Sequence, residues 1–281
     1  MGSIAYTALF HAALPHSKNN IHNCYNLTMS ILTSLRSEIL KTKRTISFYF
    51  TLVGAAIVPC IYLINVAFDD ISETRKDPFN AMFKVSAEVN GLVFFPLFVV
   101  LICTLMPQME YKNNTWKQVF ASPQTKANIF IAKFLNIHML LLVFLVANHA
   151  FMFLVAVATH FIMPDLNLLN QPLNGHTLLV NSANSYITIF AICAIQFWFG
   201  LRFRNFIVPI ALGLALWITG TLMVFEYHSV YAKYFPYSFH IFANATQVKS
   251  QLNQVEWTSL AYSILFLALG FIDFSRRRMN A

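Results

Sequence analysis

The chain has 281 residues, 57% of them hydrophobic and only 11% charged, with a mean hydropathy of +0.58. Soluble domains carry about a quarter charged residues, so a water-soluble globule is excluded and a membrane protein is the default reading. The net charge of +8 therefore first raises the question of which loops hold it, before any nucleic-acid partner. Cys24, Cys60, Cys103 and Cys193 form no C-x-x-C pair, and neither a disulfide framework nor a zinc site is indicated.

Met1 to Thr28 has no basic n-region, and its apolar stretch is broken by His11, Pro15 and His16. It does not read as a signal peptide, and Tyr6 stands where a myristoylation signal has Ser or Thr. Residues 1–28 are taken as a flexible or non-essential leader, and 29–281 as a single six-helix transmembrane domain. Ser30 to Arg44 gathers Ile31, Leu32, Leu35, Ile39 and Leu40 on one helical face, with Arg36, Ser37, Glu38, Lys41 and Lys43 elsewhere. That pattern predicts an amphipathic helix in the membrane interface; a plain basic flank of the first span fits the same residues.

Six long uncharged runs follow: Ile46 to Phe68, Val89 to Met106, Phe134 to Met163, Leu178 to Leu201, Phe206 to Phe225 and Trp257 to Ile272. All but the last, which is short, have at least about the length a spanning helix needs, and the fold class is an all-α, polytopic membrane protein with six transmembrane helices. Pro59, Gly54, Pro209, Gly213 and Gly220 interrupt these runs, which a bundle tolerates when neighbouring helices satisfy the freed backbone groups. Alternating the loops places fourteen of the 19 Lys and Arg on one side. The rich side should be cytoplasmic, which puts both termini inside.

Between the second and third runs, Asn114 or Thr115 can N-cap a short helix whose Trp116, Val119 and Phe120 fall at i, i+3 and i+4. Ser122-Pro123 should end it, and the same pair can cap the next helix with proline at N1. A short aromatic-faced helix suits docking to another protein; spacing alone fits a membrane-resting loop helix as well. In the third run His138, His149 and His160 recur every 11 residues and return to nearly one helical face. Asn148 and His149 lie near the middle, where polar groups are costly unless they meet partners or water. They are candidates for the pathway or a subunit interface. A haem would need a facing axial ligand, and no other run carries a central histidine. Glu226 to Glu256 is a long connection rich in Tyr and Phe around Pro236, the composition of an interfacial aromatic belt.

Glu110 followed by Thr115-Trp116 and Ala121-Ser122-Pro123, with Lys133 beyond, resembles the cytoplasmic loop of ABC-2-type permeases, the membrane subunits of ATP-binding-cassette exporters. Ser37-Glu38-Ile39-Leu40-Lys41-Thr42-Lys43-Arg44-Thr45 is similar to the basic leading segment of that family, particularly its lantibiotic-immunity branch, and Leu201 to Phe206 to its turn between spans four and five. The resemblance implies a permease that forms the translocation pathway as a dimer, identical or homologous, in a bacterial cytoplasmic membrane. A separate ABC ATPase would drive it. Thr115 to Ala121 would be the coupling helix, with Glu110, Thr115, Trp116, Val119, Phe120 and Pro123 as ATPase-coupling residues, and Glu226 to Glu256 would close the pathway in the outer leaflet. No catalytic residue, metal or cofactor is assigned to this chain; ATP and Mg would sit on the partner, and no G-x-x-x-x-G-K-[ST] loop occurs here. The 28 Phe suit an amphiphilic substrate such as an antimicrobial peptide or drug. The rivals are an ATP-independent channel, a secondary transporter or a membrane-embedded enzyme, each of which would call for ionisable groups inside the spans.

Overall fold

A computed structural model describes residues 31–43, 45–68, 77–122 and 124–276. The leader, Pro123 and the terminal Arg277 and Arg278 lie outside the described residues. The elements are α1 (Ile31–Lys43), α2 (Ile46–Ala67), α3 (Pro78–Val89), α4 (Phe95–Lys112), α5 (Trp116–Ala121), α6 (Lys126–Ile162), α7 (Gly175–Thr188), α8 (Phe190–Arg202), α9 (Ile207–Phe225), α10 (Phe239–Asn244) and α11 (Leu252–Arg276), with no strand among the described residues. Hydrocarbon offers backbone groups no partner, so each apolar run closes its own hydrogen bonds as helix. Among the described residues five helical stretches are long and apolar enough to cross a bilayer, six if the bent pair α7–α8 is one span.

Two spans run well beyond their uncharged cores. The stretch Pro78–Lys112 has 35 residues and α6 has 37, roughly 52 and 55 Å at 1.5 Å per residue, against a hydrocarbon core of about 30 Å. The extra turns are amphipathic: α3 turns Phe79, Met82, Phe83 and Ser86 inward while Lys84 faces Glu88 at its surface. That buried face meets Met152, Val155 and Ala156 of α6 and Leu168.

Breaks in the helices have local causes. Pro96 offers no N–H to Leu92, and the N–H of Phe95 reaches back to Asn90, so α3 joins α4 through a π turn, Asn90–Phe94. Between α7 and α8 the axis bends by 41°. There Ser259 of α11 enters the ladder, its hydroxyl bonding the carbonyls of Ile187 (2.9 Å) and Thr188 (3.3 Å) while accepting from the N–H of Ala191 (3.3 Å). In α2, Pro59 leaves the carbonyl of Ala55 without its helical donor, and Asn148 Nδ2 supplies one at 3.0 Å.

Helix α6 packs along α1 and α2, and α8 packs between α4 and α11. Phe95, Phe98 and Phe144 stack in the core, with centroids 5.5 and 4.4 Å apart. Where α4 crosses α8, Gly200 lets the backbones touch: a Cβ there would collide with the Cys103 carbonyl. The connection from α9 to α11 runs through the 3-10 turns Val230–Tyr234, Pro236–Ser238 and Thr246–Gln251, with α10 between them. Most of this aromatic segment from Tyr237 to Ala245 is buried in the protein rather than spread on its surface. Tyr237 reaches Gln196 Oε1 with its hydroxyl at 2.9 Å, and Gln196 Nε2 in turn bonds Thr104 Oγ1 and the Pro209 carbonyl.

Candidate functional site

At one end of the bundle α1, the last turn of α4, α5, the first turns of α6, the α8–α9 turn and the end of α11 converge. Lys133 Nζ donates to Glu38 Oε2 at 3.0 Å and to Glu110 Oε1 at 2.9 Å, tying α1, α4 and α6 together. The three side chains are only 7–9% exposed. Lys41 closes the group, 2.8 Å from Glu38 Oε1 and 3.3 Å from Glu110 Oε1. Two carboxylates thus meet two ammoniums, which keeps a buried cluster neutral. Partial burial pulls the Lys41 ammonium down, but the carboxylates of Glu38 and Glu110 outweigh that and hold it above its ordinary value.

The cluster holds the start of α5. The Thr115 hydroxyl donates to the Glu110 carboxylate, and the Thr115 N–H donates to the Glu110 carbonyl at 3.0 Å. Asn114 takes the left-handed φ of 52° that lets the chain turn here. Thr115 occupies the N-cap position but makes no side-chain cap bond, because its hydroxyl is spent on Glu110. The Lys133 ammonium also lies 5.4 Å from the Trp116 ring centroid.

Trp116 is 3% exposed and packs on Tyr111, Phe120 and Phe274 with centroids 5.4–5.9 Å apart. Phe120 and Val119 are half-buried, and Phe120 also meets Phe274 at 5.5 Å. The i, i+3, i+4 face read from the sequence is therefore turned into the bundle. The exposed face of α5 consists of Lys117, Gln118 and Ala121. Ser122 ends α5 as its C-cap, but the next helix starts at Lys126 with Thr125 as N-cap, its side chain accepting from Asn128 N at 3.2 Å. Proline at N1 of that helix is thereby corrected: Thr125, as N-cap, supplies the oxygen for an orphan N–H, and Lys126 is the first helical residue. Pro123 itself lies outside the described residues.

Helix α1 turns its polar stripe to the bundle and leaves apolar side chains outside. Its polar stripe Ser34, Glu38 and Thr42 is buried, while Leu32 and Leu40 are exposed. Glu38 faces Lys133, and Asn136 Nδ2 bonds Thr42 Oγ1 at 2.7 Å, so the polar face is spent on α6. Lys133 itself had been read as preceding the third span, yet it stands two turns inside α6. A lysine between Ala132 and Phe134 is the signal that could have found it; nothing in the sequence indicates that Glu38 and Glu110 share it.

The two intramembrane candidates separate in role. Asn148 is buried and bonded to the Ala55 carbonyl. His149 Nε2 stands 2.8 Å from Ser182 Oγ, whose own proton goes to the Leu178 carbonyl at 2.8 Å, so the imidazole donates. Both border a cavity of about 20 Å³ shared with Asn90, Ser182 and Ser185, room for about one water. His138, on the same face, meets Tyr186.

A helical bundle with this many long apolar helices is a multi-pass α-helical membrane protein. The chain belongs to the ABC-2 family transporter proteins, whose family model matches residues 34–220. That match spans the site from Glu38 through the α8–α9 turn and stops within α9. It makes the protein a permease subunit of an ABC transporter, and the family implies an ATPase partner. No curated protein matches the sequence.

Proposed function

We propose that this permease forms a dimeric translocation pathway for an amphiphile, exported from a bacterial cytoplasmic membrane and driven by a separate ATPase that docks against α5. The observation that carries the reading is the double attachment of α5. Its start is held by the Glu110–Lys133–Glu38 cluster and its aromatic face by Phe274. A push on so short a helix cannot be absorbed locally; it reaches α1, α4, α6 and α11 together. Fourteen of the 19 basic residues fall to this side of the alternating loops, which supports a cytoplasmic placement with both termini inside.

The reading divides the coupling residues. Lys117 and Gln118, exposed on α5, meet the ATPase; Glu110, Thr115, Trp116, Val119 and Phe120 carry the displacement into the bundle. Nucleotide and Mg belong to the partner, and this chain orients and gates without catalysing. Purification from native membranes in mild detergent tests it. An ATPase should co-purify, be lost in Lys117→Glu/Gln118→Glu, and be retained but uncoupled from substrate in Trp116→Ala. A permease that purifies alone under conditions preserving other such complexes would sink the reading in favour of an ATP-independent channel.

A further inference from the structure

Beside the ionic cluster a cleft of about 800 Å³ opens between the start of α2, the end of α4, α5 and the turn before α9. That is within the range of small-molecule sites, about 300–1,000 Å³. One wall is apolar, built by Ile46, Leu105 and Phe206. The other carries three cations from three separate elements: Lys112 from α4, Lys117 from α5 and Arg204 from the α8–α9 turn. All three are exposed, and none has an ion-pair or hydrogen-bond partner among the described residues.

Four other cations at the same end are engaged, whereas Arg36 and Lys43 of α1 have no such partner among the described residues. Lys41 and Lys133 hold carboxylates, Arg202 pairs with Asp273 at 2.7 Å, and Lys126 donates to the Ser275 carbonyl. Glu110 is the one carboxylate lining the cleft, and it is already matched by Lys133, Lys41 and Thr115. A second observation points the same way. Trp116 also lines the cleft, is 3% exposed, and its indole N–H is buried without a partner among the described residues. The cleft thus presents positive charge with no uncommitted acid to answer it.

We propose that this cleft binds the phosphate headgroup of an anionic phospholipid. Lys112 and Arg204 face the phosphate, and the acyl chains follow the exposed stripe Ile46, Tyr49 and Val53, which continues from the apolar wall along α2 at i, i+3 and i+7. The cations select against a zwitterionic headgroup, and the apolar wall selects against a free inorganic anion. Because Lys117 and Trp116 belong to α5, the bound lipid touches the helix to which the ATPase is assigned. The lipid site itself rests only on the chain spanning a membrane.

The test is lipid retention by native mass spectrometry of the whole permease, extracted from nanodiscs of phosphatidylcholine with and without phosphatidylglycerol. Wild type should retain phosphatidylglycerol selectively. Each juxtamembrane cation contributes about 1 kcal/mol toward an anionic surface, a factor of about five, so Lys112→Gln/Arg204→Gln should weaken retention roughly 25-fold. Lys84→Gln/Lys249→Gln, at the opposite end, should retain lipid as wild type does. Both cleft substitutions are at exposed positions, and an unchanged size-exclusion profile checks the fold; Arg204→Lys should restore most of the binding. Retention unchanged in the double variant, or displacement of the lipid by inorganic phosphate alone, would overturn the proposal. So would a crosslink between copies through Lys112→Cys, since the cleft would then be covered by a second subunit. None of these outcomes depends on whether an ATPase co-purifies.

Discussion

The two ends of the bundle bury polar side chains in different ways. At the α5 end the buried groups are full charges, Glu38, Glu110 and Lys133, matched one against another. Where the aromatic segment enters, they are neutral: Tyr237, Gln196 and Thr104 are joined by hydrogen bonds, and Asn244 separately meets the His240 carbonyl and Ser185. The contrast follows from cost. A buried charge is tolerable only with its countercharge in place, and losing one partner is far more damaging than losing a neutral hydrogen bond.

The largest break in that comparison should come from Lys133→Met, which removes the buried cation between Glu38 and Glu110 and leaves them only the half-exposed Lys41. It should cost about 3–5 kcal/mol and show as a collapse of the detergent melting temperature. Adding Glu38→Gln and Glu110→Gln should recover much of the loss. If the triple variant is no better than the single, charge matching is not what the cluster does.

At the neutral side the sharpest probe is steric. A Cβ at Gly220 would stand 2.6 Å from the Tyr237 carbonyl oxygen, backbone that cannot swing away. Gly220→Ala should destabilise by about 1–3 kcal/mol, whereas Gly54→Ala, which meets only side chains, the Phe144 ring at 3.3 Å and the Phe98 ring at 3.7 Å, should cost less. Equal melting temperatures would show that the segment around Tyr237 is not held against α9.

Asn148→Leu should cost about 1–3 kcal/mol by stranding the Ala55 carbonyl. Pro59→Ala restores the helical N–H for that carbonyl, so in its background Asn148→Leu should be nearly silent. Additive losses would mean that Asn148 acts elsewhere, as on a transport path. The smallest effect belongs to Lys41, which is 48% exposed. Its raised value makes its contribution to stability fully present below the ordinary lysine value of 10.5 and lost as pH climbs through the higher folded value. The margin of wild type over Lys41→Gln should hold at neutral pH and vanish only in strong alkali.

How legible this was varied with the kind of signal. The six apolar runs all reappear as helices, because their hydrophobic length leaves the backbone no other closed arrangement in lipid. Their ends were not legible: α3 and the first turns of α6 carry charges that look like loop, and only their packing against each other's helices makes them continuous. The short α5 was visible from Asn114 to Pro123, but the same i, i+3, i+4 pattern fits a face turned to a partner or to the bundle. Phe274, 158 positions beyond Trp116 in the chain, decides it.

By itself, then, the sequence determined the membrane environment and the apolar runs that become its helices, since these follow from local composition and length. It also carried the family resemblance now matched over residues 34–220. Which polar residues meet was left to tertiary structure. Glu38, Glu110 and Lys133 lie on three helices, and Asn148 answers a carbonyl freed by a proline 89 residues away. Such pairings arise because each buried charge or orphaned carbonyl takes whatever partner the packing brings within reach, and no local periodicity encodes that meeting.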